Sequence, residues 1–205
     1  METLLALASF IFVASITPGP NNLMLAASGV GFGLRRTVPH MLGVCAGFAV
    51  LVLTCGLGVG ALIMQSPTAA TALKVAGSGY LVFLAWTLRG NAVGAGSAEA
   101  DAGRAAGRPA RPMSFAAAAA FQFANPKAWL MGVTAASAFL PALGGDWRAL
   151  ALLCLVATLV NAPCITSWAL LGSTIRARLG NPAWQRRFSG VMVILTLYAA
   201  LSIWL

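Results

Sequence analysis

Apolar residues run through this chain in six long stretches, at about 4–28, 38–64, 69–89, 113–141, 147–173 and 187–205, with polar residues confined to short breaks between them. A bilayer core of about 30 Å needs roughly 20 apolar residues in a helix. Each stretch therefore predicts a transmembrane helix. The breaks predict loops: Gly31-Phe32-Gly33-Leu34-Arg35-Arg36, a tight turn at Gln65-Ser66-Pro67, Gly144-Gly145-Asp146, and one around Gly180-Asn181-Pro182. Residues 90–112 read as a Gly/Ala/Arg linker without apolar periodicity.

Composition agrees. Only 8% of the 205 residues are charged and 60% are hydrophobic, whereas a soluble domain carries about 25% charged residues. The net charge of +9 suggests nucleic acid at first sight. Its distribution excludes that partner, because the arginines gather in the breaks between apolar runs. Met1-Glu2-Thr3 has no positive n-region and no small-residue cleavage site follows, so the first run is expected to stay as a helix.

Positive charge sets orientation. Arg35, Arg36, Arg89, Arg104, Arg108, Arg111, Arg176, Arg178, Arg186 and Arg187 fall after spans one, three and five; Lys74 and Arg148 alone fall on the other side. The Arg-rich loops are thus expected in the cytoplasm, with both termini outside. Trp86 and Trp184 on one side, and Trp147 and Trp204 on the other, suit the two interfaces.

With that topology, spans one to three and four to six are oppositely oriented halves. Repeat one covers about 1–89 and repeat two about 113–205, forming one transporter domain over 1–205. Each half opens with a Pro-broken helix: Thr17-Pro18-Gly19-Pro20-Asn21-Asn22 in span one, Asn125-Pro126-Lys127 in span four. Paired breaks in inverted halves point to a transporter site. Pro18 and Pro20 supply no N–H, which frees the carbonyls of Ala14 and Ile16, and Pro126 does the same for Gln122. Each break also starts a new helix, with free N–H groups and a partial positive charge. Unpaired backbone cannot face lipid, so it must line a cavity or be buried in protein. Helix N-termini for a carboxylate, freed carbonyls for an ammonium, and the amides of Asn21, Asn22, Gln122 and Asn125 suit a zwitterion. Ordinary proline kinks are the alternative, weakened by the matched pair. In span five, Asn161-Ala162-Pro163, with Thr158 on the face of Asn161, is either site-lining or a structural kink.

Charged groups narrow the substrate. Lys127 lies mid-span, where insertion costs roughly 2.5–3.5 kcal/mol, and an interface about 20 Å away is beyond a lysine's reach. Its ammonium is expected to face the cavity. The carboxylates are Glu2, Glu99, Asp101 and Asp146, none within a span. A cationic substrate or a divalent metal would therefore cross without a counter-charge, so a small neutral amino acid is expected. His40, the single histidine, reads as interfacial, with proton carriage as the alternative. Cys45, Cys55, Cys154 and Cys164 lie in apolar runs at spacings that cannot ligate one metal, and read as small apolar filler. Gly43 and Gly47, and again Gly56 and Gly60, give the small-xxx-small pattern of close helix packing. No Ser/His/Asp set or carboxylate pair supports an enzyme, and no cofactor is implied.

Thr17-Pro18-Gly19-Pro20-Asn21, Gly77-Ser78-Gly79-Tyr80-Leu81 and Asn125-Pro126-Lys127, in this order and spacing, resemble the LysE/RhtB family of amino-acid exporters along essentially the whole chain. The resemblance implies export of amino acids or close metabolites across the bacterial inner membrane, a binding site at the broken helices, and a homodimer. Leu42 to Phe48, Phe121 to Asn125 and Gly132 to Ala135 look most like the branch that exports cysteine and O-acetylserine; serine, threonine or homoserine are the neighbouring choices. Many members carry an Asp directly after the second Gly of span two. Phe48 stands there in this chain, which argues against a basic substrate and removes one proton carrier. Proton coupling stays an option. The alternatives are an exporter of another small metabolite or ion, and a membrane thiol–disulfide carrier, disfavoured because no Cys lies at either break.

Overall fold

The computed structural model describes residues 1–90, 111–176 and 181–204, and the described residues form nine α-helices and one 3-10 turn. The expected linker over 90–112, with Arg104 and Arg108, lies almost wholly outside the described residues, as does Arg178. The helices are α1 (Glu2–Ile16), α2 (Pro20–Phe32), α3 (Leu34–Gly56), α4 (Val59–Gln65), α5 (Pro67–Gly90), α6 (Phe115–Ala124), α7 (Pro126–Phe139), α8 (Trp147–Arg176) and α9 (Pro182–Ser202). Two of them, α3 and α8, are long and apolar enough to cross a membrane alone. The pair α1 and α2 meets the same test together, bent by 55° at its break.

Both expected breaks in spans one and four are present. Pro20 and Pro126 each occupy the first position of a new helix, where the missing N–H costs nothing. Pro163 behaves differently, because α8 continues through it. Neighbouring helices and polar side chains can re-satisfy the freed carbonyl, so a proline need not end a membrane helix.

Two local expectations are corrected. The first loop shrinks to one residue: Gly33, at φ 79°, joins α2 directly to α3, placing Arg35 and Arg36 in the first turn of α3. Only glycine reaches that conformation without strain. Span two is interrupted at Leu57-Gly58, with Gly58 at φ 91°, so Gly56 and Gly60 do not share one helix face. His40, near the start of α3, is buried at 1% exposure, and its Nδ1 has no hydrogen-bond partner.

The packing is built on bare backbone. A Cβ on Gly172 of α8 would strike the Ala26 carbonyl of α2, and one on Gly29 of α2 would strike the Ala169 carbonyl of α8. Gly43 and Gly47 bring α3 equally close to the carbonyls of Phe115 and Ala119 in α6. Van der Waals packing and close backbone approach drive helix association in lipid, where apolar burial gives little. α1 and α2 lie on α8, α6 and α7 lie on α3, α3 meets α8, and α5 meets α9. Lys74 stands 5.8 Å from the Trp204 ring and Arg148 5.4 Å from that of Trp147.

Candidate functional site

The two helix breaks meet. At the first, α1 ends at Ile16 and α2 starts at Pro20, leaving Thr17, Pro18 and Gly19 between them. The carbonyls expected to be free have acquired partners. Thr17 donates its hydroxyl to the Ala14 carbonyl at 3.0 Å, and the Trp168 indole N–H of α8 donates to Ile16 at 3.1 Å. Asn22 uses both N–H groups of its amide, donating to the carbonyls of Ser15 (2.7 Å) and Thr17 (2.8 Å). All four carbonyls thus already have a donor.

The second break is capped in the same way. Asn125 accepts from the Lys127 backbone N–H at 3.1 Å, and the Trp129 indole donates to the Phe123 carbonyl at 2.8 Å. The expected anion site at the start of α7 is therefore partly occupied by its own side chain. α2 has no such cap, because Gly19 in the N-cap position has no side chain. Both helix starts carry a partial positive charge, and of the two α2 is the one without a side-chain cap on its first N–H groups.

Two contacts join the breaks. Lys127 donates to the Thr17 carbonyl (2.9 Å), the Thr17 hydroxyl (2.9 Å) and the Pro18 carbonyl (3.3 Å). An ammonium has three N–H donors, so Lys127 is fully hydrogen-bonded without a carboxylate. Gly19 makes this possible: a Cβ there would stand 2.8 Å from Lys127 Cδ. Beside it, Asn21 and Gln122 exchange amide hydrogen bonds, Nδ2 to Oε1 at 2.7 Å and Nε2 to Oδ1 at 3.2 Å. Gln122 is 0% exposed and spends its second N–H on Ala118.

A cavity of about 30 Å³ lies against these contacts. Gly19, Pro20, Asn21, Asn22, Asn125, Lys127 and Asn161 line it, seven of the eleven residues expected at the site. The other four sit just behind: Thr17 and Pro18 hold Lys127, Gln122 holds Asn21, and the Pro126 ring packs where a side chain on Gly77 would stand. The close approach of Pro126 gives Gly77, in the α5 motif, a physical role. Thr158 is not brought to the cavity; its hydroxyl donates to the Cys154 carbonyl. Phe48 does reach the wall, with Ala14, Ser15, Ala128, Met131 and Ile165. Ser15 and the two indole caps carry no signal in the sequence, being single polar groups inside apolar runs. The four cysteines are free thiols.

A family model, the LysE type translocator, matches residues 12–203, which span both breaks and all nine helices at least in part. The chain belongs to this family. It is a multi-pass membrane translocator and not an enzyme. Among the proteins it is similar to are the cysteine/O-acetylserine efflux proteins of Escherichia coli strain K12 and of Shigella flexneri serotype 5b. Each is 31% identical over 199 residues, covering 95% of this translocator and 94% of the relative. No solved structure matches the chain.

Proposed function

We propose that this translocator exports small neutral amino acids or their derivatives from the bacterial cytoplasm, of the cysteine/O-acetylserine or serine/threonine/homoserine type, across the inner membrane. Its whole-length similarity to cysteine/O-acetylserine efflux proteins supports the class. The observation that carries the reading is the Lys127 contact, an ammonium held by neutral acceptors at the meeting of two broken helices.

A zwitterion can replace this contact at both ends. Its carboxylate takes the Lys127 ammonium and the uncapped N-terminus of α2, and its own ammonium takes the carbonyls of Thr17 and Pro18. Charge is conserved in that exchange. A cavity of about 30 Å³ admits little more than water, which needs roughly 10–15 Å³. Substrate entry therefore requires the breaks to part, and the Lys127 and Asn21–Gln122 contacts are what must open. Thr17, Pro18, Gly19, Pro20, Asn21, Asn22, Gln122, Asn125, Pro126, Lys127 and Asn161 make up the proposed site.

The architecture that goes with this is six spans in a 3+3 inverted repeat within one domain, with the first and fourth spans broken. The packing supports it: exchanging spans one, two and three for four, five and six turns the contact of span one on α8 into that of span four on α3. The same exchange leaves the α3–α8 and α5–α9 contacts as they are. Such closure is expected of a pseudo-two-fold axis. We place the Arg-rich loops in the cytoplasm, both termini outside, and take the assembly to be a homodimer on the family resemblance. Efflux of labelled amino acids from proteoliposomes, with and without a proton gradient, tests export and coupling together. Absence of efflux for every neutral amino acid tried would remove the reading.

A further inference from the structure

Two buried polar atoms of the cavity lining have no hydrogen-bond partner: Ser15 Oγ on α1 and Asn161 Nδ2 on α8. Ser15 is 5% exposed and Asn161 6%. Buried side-chain donors are almost always paired, and an unpaired one calls for an explanation. Two of them, from helices far apart in sequence and against one small cavity, call for a shared explanation. Neither is needed by the exchange at Lys127, which uses only the α-carboxylate and α-ammonium common to all amino acids. The remaining wall nearby, from Ala14, Phe48, Met131 and Ile165, is apolar and offers no competing partner for a polar ligand group.

We propose that Ser15 and Asn161 form a subsite that reads the substrate's side chain, and that it takes a short side chain carrying an oxygen acceptor, such as a hydroxyl or an ester. This rests on the cavity being the site of an amino-acid exporter. The Asn161 amide donates to the ligand oxygen. The Ser15 hydroxyl either donates to the same oxygen or accepts from a ligand hydroxyl. An alkyl side chain of equal size enters the same space and leaves both groups unpaired. A site built around hydrogen bonds rejects the analogue that lacks them far more strongly than an apolar pocket rejects a misfit. Lys127 already places one cation at this cavity and nothing in the lining supplies a carboxylate, so a second ammonium of the same size is refused as well.

Three isosteric amino acids test this: homoserine, norvaline and 2,4-diaminobutyrate, which end their side chains in hydroxyl, methyl and ammonium. Efflux of each is measured from proteoliposomes holding the full chain or its variants. The wild type is expected to prefer homoserine over norvaline by about tenfold or more. In Ser15→Ala and in Asn161→Leu that ratio should fall towards one. Asn161→Asp adds the missing counter-charge at the same place and should raise the ratio of diaminobutyrate to homoserine by about tenfold or more. This gain cannot come from damage to the fold, and it decides the matter if the other two variants fail to insert. Wild-type protein that exports homoserine and norvaline equally, variants that keep the wild-type ratio, or an inserted Asn161→Asp with unchanged preference would each overturn the subsite and leave the exporter standing. If the wild type exports neither neutral compound, the exporter reading falls and the subsite with it.

Discussion

Lys127 Nζ lies 2.9 Å from both the carbonyl and the hydroxyl oxygen of Thr17, a residue 110 positions earlier in the chain. The contact ties the break in one half of the protein to the break in the other. It puts the cation of the cavity lining on uncharged acceptors, the contact that the proposed substrate carboxylate displaces. Replacement by Lys127→Met should abolish efflux while the protein still reaches the membrane. Lys127→Arg should also fail, because a planar guanidinium is too broad for the space that Gly19 leaves. Normal efflux from either inserted variant would take Lys127 out of the site.

The Asn21–Gln122 pair predicts non-additive stability. Either single change to Leu strands the partner's amide, buried in Gln122 and half-buried in Asn21, and should cost about 1–3 kcal/mol. Changing both removes donor and acceptor together, so the double variant should be less destabilised than the sum of the singles. Thermal unfolding in detergent reads the cycle. Strict additivity would mean that the two amides do not bond one another.

Glycine contacts offer a contrast within one substitution type. Gly172→Ala drives a methyl into the Ala26 carbonyl and forces α2 and α8 apart, at a cost of about 1–3 kcal/mol. Gly79→Ala meets no atom within 4 Å and should be neutral, or stabilising by up to about 1 kcal/mol from helix propensity. Equal melting temperatures for the two variants would contradict the close packing of α2 on α8.

Orientation is read with single cysteines in a Cys-free background. Arg111→Cys should react with an impermeant thiol reagent only from the cytoplasmic face, and Gly145→Cys only from outside. The reverse pattern would invert the topology and turn the proposed export path around.

Proline made the breaks legible in the sequence, because its missing N–H has only a few places to go in a membrane. Lys127 was legible for a similar reason, since a mid-span cation needs a partner. Its actual partners, Thr17 and Pro18, were not, because pairing across 110 residues leaves no local pattern. The same holds for the Trp168 indole on Ile16 and for Ser15, a lone hydroxyl in an apolar run. Pro163 carries the same chemistry as Pro126 yet leaves α8 unbroken, so the outcome depends on neighbours that spacing alone does not reveal. The Gly56/Gly60 pattern concealed a break at Gly58, and the charged surroundings of His40 concealed its burial.

Substrate charge tests the central claim most directly. The cavity lining holds one cation, Lys127, and no anion, with the apolar ring of Phe48 in its wall. A cationic side chain would lack a counter-charge at a cost of a few kcal/mol, and each 1.4 kcal/mol is a factor of about ten. The measurement is competition in the reconstituted protein, with lysine, arginine and a series of neutral amino acids set against labelled O-acetylserine or cysteine. Short neutral amino acids should compete at least about a hundredfold better than lysine or arginine. Lysine competing at the same concentration as the neutral compounds would contradict the account, because some other group would then have to supply the missing negative charge.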